Sequence, residues 1–347
     1  MELSDNAMNV DSASMCLAVI SWNIQRVNLE KLECSDRGGE IAETLFDICE
    51  NAKAIGATHV ILVVYENQTK VNEVTSMLGS FLASAWKCDE SDIESDYVQG
   101  LGNGSMCENI IVLATPGTNM TCIADDGTYL KILDEKLQSN LQDVNAAPFA
   151  SLSVDRKTRN FDMSSDAAAL MNAVAWISEE PSFSEQPIDL IGAMRVGYGS
   201  KGEQMAERAL HSTGLALSQR YRPPIHVLIN SAPFMTCAHL PRPNLTELNP
   251  EALVAALAYS AQSVGTKWLS GDFNMNGRTL KTHLDPLNIG WYTWESDTGT
   301  TVRISGDVGD HQWDCVARLH AAVPEVHCVA VNRETTDHVA VWFIVDV

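Results

Sequence analysis

No apolar run in this 347-residue chain approaches the roughly 18 residues of a membrane span. The longest, such as residues 60–64 and 339–345, have the length of a buried strand. Cations are scarce as well: Lys and Arg number 23 against 45 Asp and Glu, a formal charge of −22. A sequence-independent grip on a phosphate backbone needs a basic face, so this balance argues against a passive nucleic-acid coat. It leaves room for an enzyme that holds a phosphate with a metal ion and a few local cations. The nine cysteines include no Cys-x-x-Cys pair, which disfavours a zinc ribbon or a dithiol redox motif. Their odd number and loose spacing fit free thiols in a reducing compartment. Residues 1–15 lack the basic-then-apolar pattern of a signal sequence and read as a flexible leader. A cytoplasmic or nuclear protein is therefore expected, and delivery into another cell by a route that needs no cleaved signal stays compatible. Internal repeats, low-complexity tracts and the Gly-x-Ser-x-Gly elbow of a serine hydrolase are absent. Gly100-x-Gly102-x-Gly104 has no strand–helix–strand frame and reads as a loop.

What remains is an ordinary globular composition, 45% hydrophobic and 20% charged. Residues 16–23 and 58–66 are continuous apolar runs that predict strands covered on both faces. Between them, Ile41, Leu45, Ile48 and Ala52 recur with helical spacing over 39–54, and Gly56 is a stop. The acidic stretch 89–96 reads as solvated loop. Further strands are predicted at 109–114, 225–229 and 234–238, the last two forming a hairpin across 230–233. Asn249-Pro250-Glu251 opens a helix to about 262. Short strands follow at 267–270, 314–319, 326–331 and 340–345. Within the looser stretch 117–210, a helix at 165–177, a loop at 181–186 and a strand at 188–191 are expected. Hairpins mixed with helical crossovers predict an α+β fold, two mixed β-sheets with helices outside.

Polar residues gather where these strands end: Trp22-Asn23, Tyr65-Glu66, His239 in Thr-Cys-Ala-His-Leu, Gly271-Asp272-Phe273-Asn274, Trp313-Asp314 and Thr336-Asp337-His338. Side chains at strand ends are held by the sheet yet exposed at its rim, where sites are built. Taken singly each has a plain reading, Asp272 as a turn residue, His338 as half-buried, Trp22 as core. The set in this order resembles the endonuclease/exonuclease/phosphatase superfamily, the fold of deoxyribonuclease I. A weaker likeness, through the opening Ser-Trp-Asn-Ile-Gln and the hairpin after Arg222-Pro223-Pro224, is to the nuclease subunit of cytolethal distending toxins. The resemblance covers about 16–116 and 215–347.

The resemblance implies a four-layer α/β/β/α sandwich, a single DNase I-like catalytic domain over 16–347 with an elaborated insertion at about 117–210. It implies a Mg²⁺-dependent phosphodiesterase that cleaves nucleic acid, DNA above all, with Mn²⁺ as a possible substitute. Glu66, Asp337 and Asn23 become the metal set. Asn23, Asn274 and Arg222 become phosphate contacts. Asp272 orients or deprotonates water, His338 is oriented by Asp314, and His239 protonates the leaving oxygen. Five cations against two acids between Arg195 and Arg222 supply a local positive stretch. Tyr65 departs from the family's Gln ahead of the metal glutamate, and Thr336 from its Ser. Two alternatives remain: an inositol-phosphate or phosphoinositide phosphatase of the same fold, and a non-catalytic binding protein that kept the scaffold.

Overall fold

In a computed structural model, the described residues are 15–67, 70–98, 109–129, 131–133, 223–240, 250–296, 299–300, 312–332 and 334–347. Two six-stranded mixed sheets lie face to face. The first has the order β11-β12-β1-β2-β4-β3 and the second β5-β6-β7-β8-β10-β9. In the first, β1 (Cys16–Asn23) runs parallel to β2 (His59–Asn67). The remaining pairs, with β3 (Glu94–Val98), β4 (Asn109–Ala114), β11 (Val326–Val329) and β12 (Ala340–Asp346), are antiparallel. In the second, β7 (Ala232–His239) runs parallel to β8 (Trp268–Asp272). Antiparallel neighbours are β5 (Met120–Ala124), β6 (Ile225–Ile229), β9 (Trp291–Thr293) and β10 (Asp314–Leu319).

Three cores separate the layers. The outer face of the first sheet packs Ile20, Trp22, Val60 and Leu62 against α1 (Leu29–Glu33), α2 (Ser35–Ala54) and α3 (Val71–Trp86). The sheets meet through Leu17, Val19, Ile61, Val63, Met235, Trp268 and Phe343. The second sheet is covered by α4 (Pro250–Val264) and α5 (Gly277–Leu284) through Leu253, Leu257, Leu280 and Phe273. The expected α/β/β/α sandwich is what the chain forms.

Several elements differ from expectation. α2 begins at Ser35, because Cys34 takes the extended cap conformation there. The acidic stretch is not all solvated loop: Glu94 and Asp96 lie on β3 and accept the backbone N–H groups of Asn119, Met120 and Cys122 at 2.6–2.9 Å. These carboxylates occupy donors that edge strand β5 would otherwise leave free. β5 therefore begins the stretch that reads as loose in the sequence. In the β6–β7 hairpin the turn is only Asn230-Ser231, both left-handed (φ 49° and 63°), and the strand resumes at Ala232. The eight described cysteines are all free. Residues 1–14 of the predicted leader, the helix 165–177, the loop 181–186, the strand 188–191, the positive stretch and Arg222 lie outside the described residues, while Met15 exchanges backbone hydrogen bonds with Val347.

Beside the second sheet, His226 is fully buried. Its Nδ1 meets Thr236 Oγ1 at 2.9 Å and its Nε2 meets Ser260 Oγ at 3.3 Å. The Ser260 hydroxyl donates in turn to Asp125. Burial pulls the His226 pKa below its usual 6.5, against the opposing pull of Asp125 and Asp126.

Candidate active site

Strand alternation decides which residues meet. Leu17 and Val19 of β1 face the second sheet, and period two carries that face on to Ser21 and Asn23, while Trp22 points into the helical layer. The same alternation runs from Met235 and Cys237 to His239, from Trp268 to Asp272, and from Val316 back to Asp314. Register aligns the row: Asp272 lies opposite His239 on one side and opposite Asp314 on the other. Asn23, His239, Asp272 and Asp314 thus share one rim of the crevice between the sheets.

Glu66 joins them through an irregularity. The β2–β4 register shifts between Val64 and Asn67, and Glu66 adopts a left-handed φ of 65°. Such a conformation costs a non-glycine residue about 1–3 kcal/mol and recurs at functional sites. The turned carboxylate accepts from Asn23 Nδ2 at 3.2 Å and from the Arg26 N–H at 3.1 Å. Asn23 Nδ2 also donates to Asp272 Oδ2 at 2.9 Å. Both amide hydrogens of Asn23 are therefore committed to carboxylates.

Asp272 is fixed on its other oxygen by the Asn274 N–H at 2.9 Å. Asn274 takes the left-handed φ of 52° that this residue type tolerates, and its Nδ2 donates to Leu240 O at 2.7 Å. Oδ2 of Asp272 faces His239 Nε2 at 3.4 Å and His338 Nε2 at 3.6 Å. His239 Nε2 lies 3.7 Å from Glu66 Oε1. Nδ1 of His338 meets Asp314 Oδ2 at 2.9 Å, and its Nε2 is 3.8 Å from Asp337 Oδ1. Burial opposes charging of this imidazole, but the carboxylates of Asp314, Asp272 and Asp337 outweigh it and lift the pKa to about 10. Burial lifts Asp314 too, so the pair keeps its proton. Trp313 leans on His338 with ring centroids 5.7 Å apart. The Thr336 hydroxyl donates to Asn23 O at 2.8 Å and accepts from the His338 N–H at 3.2 Å, tying the two turns together.

Seven of the residues singled out in the sequence meet here, Asn23, Glu66, His239, Asp272, Asp314, Asp337 and His338, with Asn274 beside them. Tyr97, on β3, packs on the helical face of the first sheet, away from this group. Lys31 and Thr300 are additions without a motif to announce them. Thr300 Oγ1 accepts from the Trp313 and Asp314 N–H groups at 2.9 and 3.0 Å. The Lys31 ammonium donates to Gln25 O and Thr335 O. Burial and the neighbouring Arg37 lower its pKa to about 8, although Glu66 and Asp337 act the other way.

Carboxylate and amide oxygens here could hold a hard cation. One oxygen of Glu66, one of Asp272 and a ring nitrogen of His239 lie within 4.8 Å of one another. Asp272, Asp314 and His338 form a second such group, in which Asp314 and His338 are already bonded to one another. Among the described residues, Asn23 Oδ1 and Asp337 Oδ1 are buried without a hydrogen-bond partner, an unusual condition that an oxygen-seeking ion would relieve. Glu66 and Asp337 keep the most exposed acidic side chains of the group, 18% and 14%, so the site opens on their side.

No family model matches the chain, and no curated protein matches it in sequence. Among solved structures it is similar to an endonuclease/exonuclease/phosphatase family protein from Leptotrichia buccalis, at 12% identity and a TM-score of 0.47 over 96% of this chain and 99% of that one. It is also similar to the mannosyl-6-phosphatase of Bacteroides thetaiotaomicron, at 11% identity and 0.42 over 95% and 99%. A truncated Caenorhabditis elegans TDP2 aligns at 9% identity and 0.39 over 94% and 96%. The four-layer class itself stands on the strand order and the three cores of this chain.

Proposed function

We propose that the chain is a Mg²⁺-dependent phosphodiesterase that cleaves nucleic acid, acting on DNA as an endonuclease. One observation supports this reading above the others. A single amide, Asn23 Nδ2, bonds Glu66 and Asp272, so carboxylates from opposite sheets share one point with two imidazoles. Phosphodiester hydrolysis can use that combination. Negative charge grows on the phosphorane, the attacking water must lose a proton, and the leaving oxygen must acquire one.

Glu66, with Asn23 Oδ1 and Asp337, is the set that would hold Mg²⁺ or Mn²⁺, which supplies positive charge that offsets the phosphorane more than the ground state. The chain's own groups do the rest. Asp272, fixed through Oδ1, turns Oδ2 into the crevice and orients and deprotonates water there. His338, held at Nδ1 by Asp314, offers Nε2 as donor to a phosphate oxygen. His239 donates to the leaving oxygen. Among the described residues, Asn274 has one amide hydrogen left for phosphate after serving Leu240. Arg222 remains the candidate bidentate clamp. A phosphomonoesterase of inositol phosphates, a class that resembles this chain but carries arginines directly after the Asp-Asn turn and in the later Trp-Asp strand, is less well supported, because the nearest here, Arg278 and Arg318, are respectively exposed beside Glu295 and laid over Trp268.

Supercoiled plasmid incubated with Mg²⁺ is expected to be nicked, and EDTA to stop it. Asp272→Ala and His338→Ala should each lower the rate by about 100-fold or more. Nicking that survives both substitutions and EDTA contradicts the proposal. Phosphate release from inositol lipids with intact DNA would transfer the site to the phosphatase class.

A further inference from the structure

Lys31 sits on a five-residue helix whose Asn28 cap accepts the Lys31 N–H at 2.8 Å. Its ammonium reaches two turns that the chain places far apart in sequence, donating to Gln25 O and, at 2.9 Å, to Thr335 O. Each carbonyl shares a planar peptide unit with the next residue's N–H, which points the opposite way. The Gln25–Arg26 peptide is therefore held at both ends, by Lys31 on its oxygen and by the Glu66 carboxylate on its nitrogen. This grip matters because Arg26 and Glu66 both carry left-handed φ values, 51° and 65°, which the chain does not adopt unaided. The Thr335–Thr336 peptide is held likewise, its oxygen on Lys31 and its nitrogen on Asn332 O at 3.2 Å, one residue ahead of Asp337. The Glu40 carboxylate secures the same turn through the Asn332 N–H and the Thr335 hydroxyl.

We propose that Lys31 is a positioning residue of the divalent-ion site, setting the peptides that orient Glu66 and Asp337. The inference rests on the metal-dependent reading above. It makes a signed prediction that a plain counter-charge does not. A cation that merely neutralised Glu66 and Asp337 would compete with a divalent ion, so its removal would tighten ion binding. A cation that orients the ligands does the reverse: its removal weakens binding, as loss of outer partners at metal sites does.

The test is calorimetric titration of the full chain with Mg²⁺, run well below each variant's thermal midpoint and with near-ultraviolet circular dichroism as a check on packing. Lys31→Met is expected to weaken Mg²⁺ binding by about tenfold or more. Lys31→Arg, which keeps charge and donors, should recover most of that loss. Lys31→Gln takes the place of the methionine variant if that chain does not fold. Mg²⁺ binding in Lys31→Met as tight as in the parent, or tighter, overturns the inference, as does Lys31→Arg binding no better than Lys31→Met. A parent that binds no divalent ion removes the metal-dependent reading and this inference together. A parent that binds and a methionine variant that binds equally well removes the inference alone.

Discussion

At Gly271 the second sheet leaves no room for a side chain. A Cβ there would lie 1.8 Å from Ala238 O, and the residue already has a φ of 153°. Its neighbours are the site itself, since Ala238 precedes His239 and Gly271 precedes Asp272 on paired strands. Gly271→Ala must push β7 from β8, and should cost roughly 2–4 kcal/mol in chemical denaturation together with most of the activity. A variant within about 0.5 kcal/mol of the parent contradicts this account of the turn. Tyr65, one of the two departures from the superfamily pattern, serves a related purpose. Its phenol donates to Ser270 O at 3.2 Å and accepts from the Ser21 hydroxyl at 3.3 Å, joining both sheets behind Asn23 and Asp272. Burial keeps that phenol neutral, with a pKa well above 10. The exchange of an amide for a phenol thus leaves the carboxylates and imidazoles in place.

At the scale of elements, the buried strands were the most legible part of the chain. Runs such as 58–66 and 109–114 are apolar on both faces because each sheet is covered by helices on one side and by the other sheet on the opposite side. α3 was not anticipated. Val74, Leu78 and Leu82 recur with helical spacing, but Ser76, Gly79, Ser80 and Ser84 dilute the signal, and packing against the first sheet makes up the difference. β5 was missed because its edge is completed by Glu94 and Asp96, a long-range pairing that no local pattern announces. The His226 network, which ties β6 and β7 to α4 and to Asp125, carries its own prediction. A histidine with a lowered folded pKa binds fewer protons folded than unfolded, so its contribution is complete above 6.5 and is lost as pH falls below that value. Thermal midpoints should therefore decline on the acid side of 6.5 in the parent and decline less in His226→Gln. Parallel curves for the two proteins would show that His226 is not the responsible group.

At the scale of the whole molecule, the site exists only where two sheets meet. Asn23 and Glu66 come from the first, His239, Asp272 and Asp314 from the second, and Asp337-His338 from the turn that leads back to the first. Their order along the chain was readable because each closes or opens an apolar strand. Their distances were not, since those depend on register, on the bulge that turns Glu66, and on ties such as Lys31 and Thr300 that lie outside any motif. The charge of −22 fits the proposed reading: the crevice concentrates carboxylates whose repulsion of a phosphate a divalent ion would offset. Anomalous diffraction from crystals grown with Mn²⁺ tests this most directly. The account predicts one strong peak bonded to the Glu66 carboxylate, with Asn23 Oδ1 or Asp337 in its shell, and its loss in Glu66→Ala. Manganese bound at other acidic surfaces, with none at Glu66, would contradict it.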